Sequence, residues 1–495
     1  MIPFLHDGAS VVLGGKVANQ VAILHGWSDT SASFKSLVAF LKSNGFQAVP
    51  LWLGDYVSMD DDVRIEDVVK RMEEVVNEKV AAEELTVPFD LIVHSTGGLV
   101  ARRWLADCYA SKKRHCPVTR MVMLAPANFG SRLAATGKSM LGRIFKGYNN
   151  FFQTGTEMLN ALELASPFQW DLARRDLFVP EGIDTAPAVY GINKGQVMPF
   201  VIIGTHPYPS GPRQIVNENG SDGTVRVAAG NLNAHGMTVD FSADNDQPVV
   251  TAWDRRHGDL AIPFAVLPNR DHTTVTLPDD PGVKAIPEVQ QMLGRLMLQA
   301  LSCREGDYAA VTGEWEALSE ETAALAADKG RRNQVFLNNP RVAPEYFHQY
   351  CQIIVRVEDD HGAPVPDFFL EFFGPRTGWA KEAVLFHSEV LEHVHNNSQG
   401  THTRSLFIDR TDLVERFYDA IPDGNEKVLK ASIAAAAPGP NVTYFDNRRQ
   451  QSEGSMVVHA LNDQHSRWLR RNCTHFVRII IPRVPVEKVF RMTRG

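Results

Sequence analysis

From Val17 to about Leu301, short and nearly continuous apolar runs alternate with longer segments in which apolar residues recur at helical spacing. Apolar runs of this kind predict strands buried on both faces, and their alternation with helices predicts a parallel sheet with crossover helices. The pattern places strands at Val21–Leu24, Ala48–Leu53, Leu91–His94, Met121–Leu124, Phe200–Gly204 and Ile262–Leu267. Ser31–Asn44 and Ile65–Val80 read as helices. The second follows Asp60, Asp61 and Asp62, whose charge suits the positive end of a helix. One stretch breaks the alternation. Leu133–Leu177 is rich in Phe, Leu and Met and too long for a simple crossover, so residues 133–195 are expected to form a helical cap inserted between two strands.

After Ala300 the pattern changes. Glu314–Lys329 is charged and helical in spacing, and the polar Gly330–Val342 that follows predicts a domain boundary. Beyond it, Gln352–Val357, Phe368–Phe373, Ser405–Ile408, Lys430–Ala434 and Val477–Ile481 read as short strands with no helical period between them. Such spacing predicts an all-β, sandwich-like unit. The expected organisation is an α/β unit at 1–302, a helical linker at 303–342 and a β-sandwich-like unit at 343–495.

Composition narrows the function classes. With 495 residues, 44% hydrophobic and 22% charged, the chain has ample material for a core. Fifty Lys+Arg against 58 Asp+Glu leave a net charge of -8, so no overall positive field draws it to nucleic acid, and any lipid contact is expected to be local. Cys108, Cys116, Cys303, Cys351 and Cys473 are scattered and odd in number, which fits a reduced compartment and no disulfide framework, and no metal site is expected from their spacing. The N-terminal stretch MIPFLHDGASVVLGGKVANQ has no basic segment followed by a long apolar run, and no apolar run reaches membrane-spanning length. A cytoplasmic location is expected, although export that reads no signal peptide would leave the same sequence.

The most informative segment is LIVHSTGGLVARRWL. An apolar strand runs straight into His94-Ser95-Thr96-Gly97-Gly98, and a helical pattern follows through Leu99, Val100, Trp104 and Leu105. Strand, sharp turn, serine and helix describe a nucleophile elbow with Ser95 at its tip. Here the chain resembles the α/β-hydrolase superfamily, and more narrowly its lipase and esterase branch. It departs from the family's G-x-S-x-G pattern in having Val93 in place of the first glycine. The resemblance implies a mostly parallel sheet flanked by helices with a helical cap, an acyl-enzyme mechanism and no cofactor.

The same resemblance guides the remaining candidates. His25-Gly26-Trp27 follows a strand and is similar to the family's oxyanion loop, so the backbone N–H groups of Trp27 and Thr96 are the expected oxyanion donors. Ser221-Asp222-Gly223-Thr224-Val225 resembles the D-G-x-V loop that holds the triad acid; Asp222 is the candidate, with Asp254 and Asp259 as alternatives. His272, in a polar loop after the last strand of the α/β unit, is the candidate base, whereas His257 precedes that strand. MLAPANFGSRLA resembles the stretch at which a lipase cap opens. Near these motifs, His25, His94, Phe129 and Met140 are the candidate substrate contacts.

The β unit adds less. His387, His393, His395 and His402 lie close in sequence but complete no recognisable ligand spacing. Arg448, Arg449, Arg467, Arg470 and Arg471, near Tyr444, Phe445 and Trp468, form either a face for anionic lipid or an ordinary solvated surface. The expectation is a serine carboxylic-ester hydrolase of lipase or phospholipase type, with a lipid or other acyl ester as substrate and a transient lipid surface as possible contact. The alternatives are an acyltransferase, thioesterase or peptidase on the same fold, a phospholipase delivered against another cell, and a binding protein whose work lies in the C-terminal unit. The sequence leaves the oligomeric state open.

Overall fold

The computed structural model describes residues 19–24, 34–51, 61–112, 114–136, 155–179, 186–209, 214, 217–243, 248–280, 282–376, 380–444, 456–459 and 469–485. A six-stranded parallel sheet forms its first layer. The strands are β1 (Gln20–Leu24), β2 (Gln47–Leu51), β3 (Phe89–His94), β4 (Val118–Leu124), β5 (Met198–Gly204) and β8 (Phe264–Leu267), in the order β2-β1-β3-β4-β5-β8. β1, β3, β5 and β8 are buried along their whole length, as their uninterrupted apolar character requires. Helices α1 (Lys35–Ser43), α2 (Ile65–Ala81), α3 (Gly97–Leu105), α4 (Thr156–Leu162), α5 (Pro167–Asp176), α6 (Met292–Ser302) and α7 (Tyr308–Ala324) accompany it. In α2 the buried residues Ile65, Val68, Val69, Met72, Val75 and Val76 recur at helical spacing and form one face. Its start is capped by the Asp67 carboxylate, which accepts the Arg64 backbone N–H at 3.2 Å.

The second sheet does not respect the expected boundary at residue 302. Its order is β11-β12-β9-β16-β6-β7, built from β11 (Leu391–Asn396), β12 (Thr403–Asp409), β9 (Tyr350–Asp359), β16 (Cys473–Ile481), β6 (His235–Asp240) and β7 (Val249–Ala252). β6 and β7 come from the chain between β5 and β8, inside the α/β unit, and β6 pairs in parallel with β16, His235 opposite His475. This sheet is covered on both faces. Ile354, Phe407 and Phe476 belong to the core of the α/β layer, while their neighbours Ile353, Leu406 and Val477 belong to a second core. The second core is closed by the antiparallel sheet of β10 (Phe368–Phe373), β13 (Val428–Ala435) and β15 (Met456–His459). The two sheets sharing one core are sandwich-like, but helical stretches at 381–390 and 410–418 lie against them, so the unit is not purely β.

The junction is packed with aromatic rings. Phe476 meets Phe129 and Trp170 at centroid distances of 5.4 Å each and Phe178 at 5.7 Å, all edge to face. Gly236 on β6 lets Trp253 close over the strand, for a Cβ there would lie 2.1 Å from the indole. Polar contacts cross as well: Gln352 Nε2 donates to the Phe129 carbonyl at 3.1 Å and Thr474 Oγ1 to the Ala228 carbonyl at 3.0 Å. A second bridge reaches the segment that follows α4. Glu163, 2% exposed just after α4, pairs with His395 Nε2 on β11 and accepts the Ser398 backbone N–H from the β11–β12 connection, both at 2.9 Å. Among the described residues no helix is long and apolar enough to cross a membrane.

Candidate active site

β3 delivers the chain into the elbow, and α3 begins two residues after Ser95. Ser95 has φ of +53°, a left-handed conformation costly for a side chain with a Cβ, and it turns the hydroxyl out of the strand direction. Backbone hydrogen bonds brace the turn: Ser95 N–H donates to Leu124 at 3.1 Å, and Gly98 N–H donates back to Ser95 at 3.0 Å. Space is tightest at Gly98, where a Cβ would lie 2.9 Å from Pro126 and 3.0 Å from Met123. Val93 is fully buried on β3, paired with Leu24 and Met123, and the elbow forms without the glycine usual at that position.

Two segments distant in sequence converge on the serine. His272 Nε2 lies 3.0 Å from Ser95 Oγ, and its Nδ1 lies 2.8 Å from Asp222 Oδ2. His272 is 1% exposed and Asp222 fully buried. The other Asp222 oxygen accepts the Thr224 and Val225 backbone N–H groups at 2.9 and 2.7 Å, and the Asp222 carbonyl accepts the His272 N–H at 2.8 Å. The acid is thereby fixed in its own turn and to the loop carrying its partner. Gly223 makes that turn possible, with φ of +91° and the Tyr208 ring 2.6 Å from where a Cβ would be. Asp271 shapes the His272 loop, accepting the Thr273 and Thr274 N–H groups at 2.9 and 2.8 Å; burial raises its pKa. Thr96 is 4% exposed at the N-terminal end of α3, where the first backbone N–H groups lack intrahelical partners.

The remaining candidates fall elsewhere. Asp254 and Asp259 are exposed, and Asp259 pairs with Arg255 at 3.6 Å rather than with His272. His257 lies ahead of β8, its ring nitrogens buried without hydrogen bonds, and burial pushes its pKa down to about 4. His94 is 3% exposed and donates from Nε2 to the His272 carbonyl at 3.0 Å, with the two rings 4.8 Å apart. His94 thus supports the loop that carries His272. Phe129, expected to touch substrate, is fully buried between Phe476 and the Arg102 guanidinium, which makes it part of the junction. His25, Trp27 and Met140 lie outside the described residues, as do Arg448, Arg449 and Arg467. Sequence reasoning missed Gln352, which reaches across the junction to the Phe129 carbonyl, and no local signal marks it.

His387, His393, His395 and His402 form no metal-ligand group among the described residues, where the one such group is His348, Asp409 and Asp412. There His348 Nδ1 is paired with Asp409 at 2.7 Å, and Asp409 also caps the helical turn at Asp412, so each group has a structural partner.

Residues 21–285, more than half of the chain, match the model of the alpha/beta hydrolase family, and the chain belongs to that family. Among solved structures it is similar to phospholipase PlaB from Legionella pneumophila, with 23% identity, 96% of each chain covered and a TM-score of 0.73. The same figures hold for PlaB in complex with thio-NAD. This likeness covers the β unit as well as the α/β layer and is one of fold. The mature lipase BlEst2 from Bacillus licheniformis is far less similar, with 14% identity, 52% of this chain and 87% of that chain covered and a TM-score of 0.33. A search of the curated proteins finds no match.

Proposed function

We propose that this chain is a serine carboxylic-ester hydrolase of lipase or phospholipase type, with Ser95 as nucleophile, His272 as base and then acid, and Asp222 as the group that orients it. The observation that carries this reading is the unbroken relay from Asp222 Oδ2 through His272 to Ser95 Oγ, at 2.8 and 3.0 Å. In it, Ser95 Oγ attacks the acyl carbonyl while His272 Nε2 takes its proton. The oxyanion forms against the Thr96 N–H and, in this reading, that of Trp27. His272 returns the proton to the leaving alcohol, and the acyl group stays on Ser95. Water, deprotonated by His272, then attacks the acyl-enzyme and releases the acid. Asp222 holds the imidazole in the tautomer that keeps Nε2 free to accept, and stabilises the imidazolium.

A lipid-like acyl ester in the cytoplasm is the favoured substrate, met by local contact with a lipid surface. Two observations support it: the Phe-, Leu- and Met-rich cap at 133–195, and the fold shared along its length with a protein named as a phospholipase. Intact mass after treatment with a fluorophosphonate, on wild type and Ser95→Ala, tests the mechanism. One adduct on wild type and none on the variant is expected, with ester hydrolysis by the variant lower by about 10³-fold or more. Labelling of Ser95→Ala at wild-type levels would overturn the assignment. p-Nitrophenyl esters from short to long chains test the substrate: turnover rising with chain length supports a lipid, and a short-chain preference overturns it.

A further inference from the structure

A cavity of about 710 Å³ opens where the α/β layer meets the β unit, a volume typical of small-ligand sites. Ile262, just before β8, and Phe264, its first residue, form part of its wall. Ser95 and His272 instead follow the C-terminal ends of β3 and β8, so the cavity lies at the opposite end of the sheet from the triad. His235, Arg255, Arg410 and Arg470 bring nitrogen donors to it, and Glu316 and Glu320 on α7 face them. The cationic side chains come from segments far apart in sequence and meet because β6 pairs with β16.

Charge is uneven within the cavity. The Arg470 side chain makes no ion pair among the described residues, and the partner of Arg255, Asp259, is fully exposed to water. The ring of His235 stacks on His475 at 5.9 Å and makes no hydrogen bond among the described residues. Burial, Arg470, His475, Arg255 and His257 push its pKa down to about 3, so this end is positive even with His235 neutral. In the same lining Arg471 engages Glu320, and Glu316 makes no ion pair among the described residues. Asn472, nine-tenths buried in the same wall, has an Oδ1 without a hydrogen bond, an arrangement costly to leave unmet.

We propose that this cavity binds a small phosphate ester, its phosphate held between Arg255 and Arg470 and its hydroxyl- or amine-bearing part turned to Glu316. Guanidinium groups match phosphate oxygens in geometry and charge. The acidic wall of α7 repels a polyanion and favours a ligand that is anionic at one end and a hydrogen-bond donor at the other. The site is separate from ester hydrolysis and does not depend on that reading.

Titration calorimetry of the full chain with glycerol 3-phosphate tests it. Saturable one-to-one binding is expected, weakened by about tenfold or more in Arg255→Gln and in Arg470→Gln, the loss of one charge-assisted contact each. Hydrolysis of p-nitrophenyl butyrate within about twofold of wild type checks that these variants are folded, since both residues lie away from the triad. Ser95→Ala is expected to bind as wild type does. Absence of saturable binding at millimolar ligand, or binding that both substitutions leave unchanged, would overturn the proposal. Inorganic phosphate binding as tightly as glycerol 3-phosphate would overturn the role of Glu316. Flotation with phosphatidylglycerol vesicles separates the sources: vesicle binding lost in Arg470→Gln assigns the site to a lipid headgroup, and binding of the free ester alone assigns it to a soluble ligand.

Discussion

Ser95 holds a backbone conformation that costs about 1–2 kcal/mol for a residue with a Cβ, and its neighbours keep it there. Leu124 accepts its N–H, and Gly98 leaves room for Pro126 to press against α3. Family patterns stress the glycine two residues before the serine, yet here Val93 occupies that place and the crowding falls at Gly98. His94 shows how far a motif reaches. Its place next to Ser95 is legible in the sequence, but its partner is not, because the His272 carbonyl it binds is 178 positions away. His94→Ala is expected to lower kcat by about tenfold while KM stays within twofold, since the lost hydrogen bond orients the base rather than holding substrate. His94→Gln, which keeps a donor, should restore part of the rate. Steady-state kinetics on p-nitrophenyl butyrate decide the matter, and a raised KM at unchanged kcat would return His94 to the substrate side.

At the scale of the element, α3 has all nine residues buried, two arginines included. Arginine on a helix ordinarily reads as a solvated face, so sequence alone gave no reason to bury Arg102. It lies fully buried because Nε and Nη2 grip Asp176 at the end of α5 at 2.8 and 3.0 Å, Nη1 donates to the Asn128 carbonyl at 2.9 Å, and the Tyr190 hydroxyl donates to Asp176 at 2.9 Å. This pair ties α3, the helix that follows Ser95, to α5. Removing one partner leaves an uncompensated buried charge, so Asp176→Ala is expected to cost about 3–5 kcal/mol in urea denaturation. The double variant Arg102→Met, Asp176→Leu should be more stable than Asp176→Ala. Additive losses would show that the pair is not a unit. Strands followed the same logic. Those with continuous apolar runs were readable, whereas β7, exposed along its length, and β11, alternately half-buried and exposed with two histidines, were missed.

For the whole molecule the consequence is that the β unit and the α/β layer share one sheet. β16 supplies the partner of β6, and Phe476 fills an aromatic pocket built by Phe129, Trp170, Phe178 and Trp253. Burying one such ring contributes roughly 1.5–3 kcal/mol, before the strand pairing is counted. A fragment ending at residue 342 would expose that pocket and leave the edge of β6 open. It is expected to be insoluble or inactive on soluble short-chain esters as well as on lipid. A soluble fragment with native circular dichroism and wild-type turnover of p-nitrophenyl butyrate would show that the α/β layer stands alone.

The sequence by itself determined the alternation of strand and helix and the strand–turn–helix elbow around Ser95, because each depends on contiguous residues. An apolar run states that a strand is buried on both faces without stating what covers it. Strand pairing uses the same backbone groups whatever the partner. The tertiary structure therefore decided that β6 joins β16, that the second sheet lies between two cores, and that Asp222 rather than Asp254 or Asp259 faces His272. It also brought His94 into hydrogen-bond contact with the His272 loop and placed Arg255 and Arg470 in the lining of one cavity. Those outcomes rest on packing between segments far apart in the chain, where burial of apolar surface and the cost of unpaired charge select one arrangement.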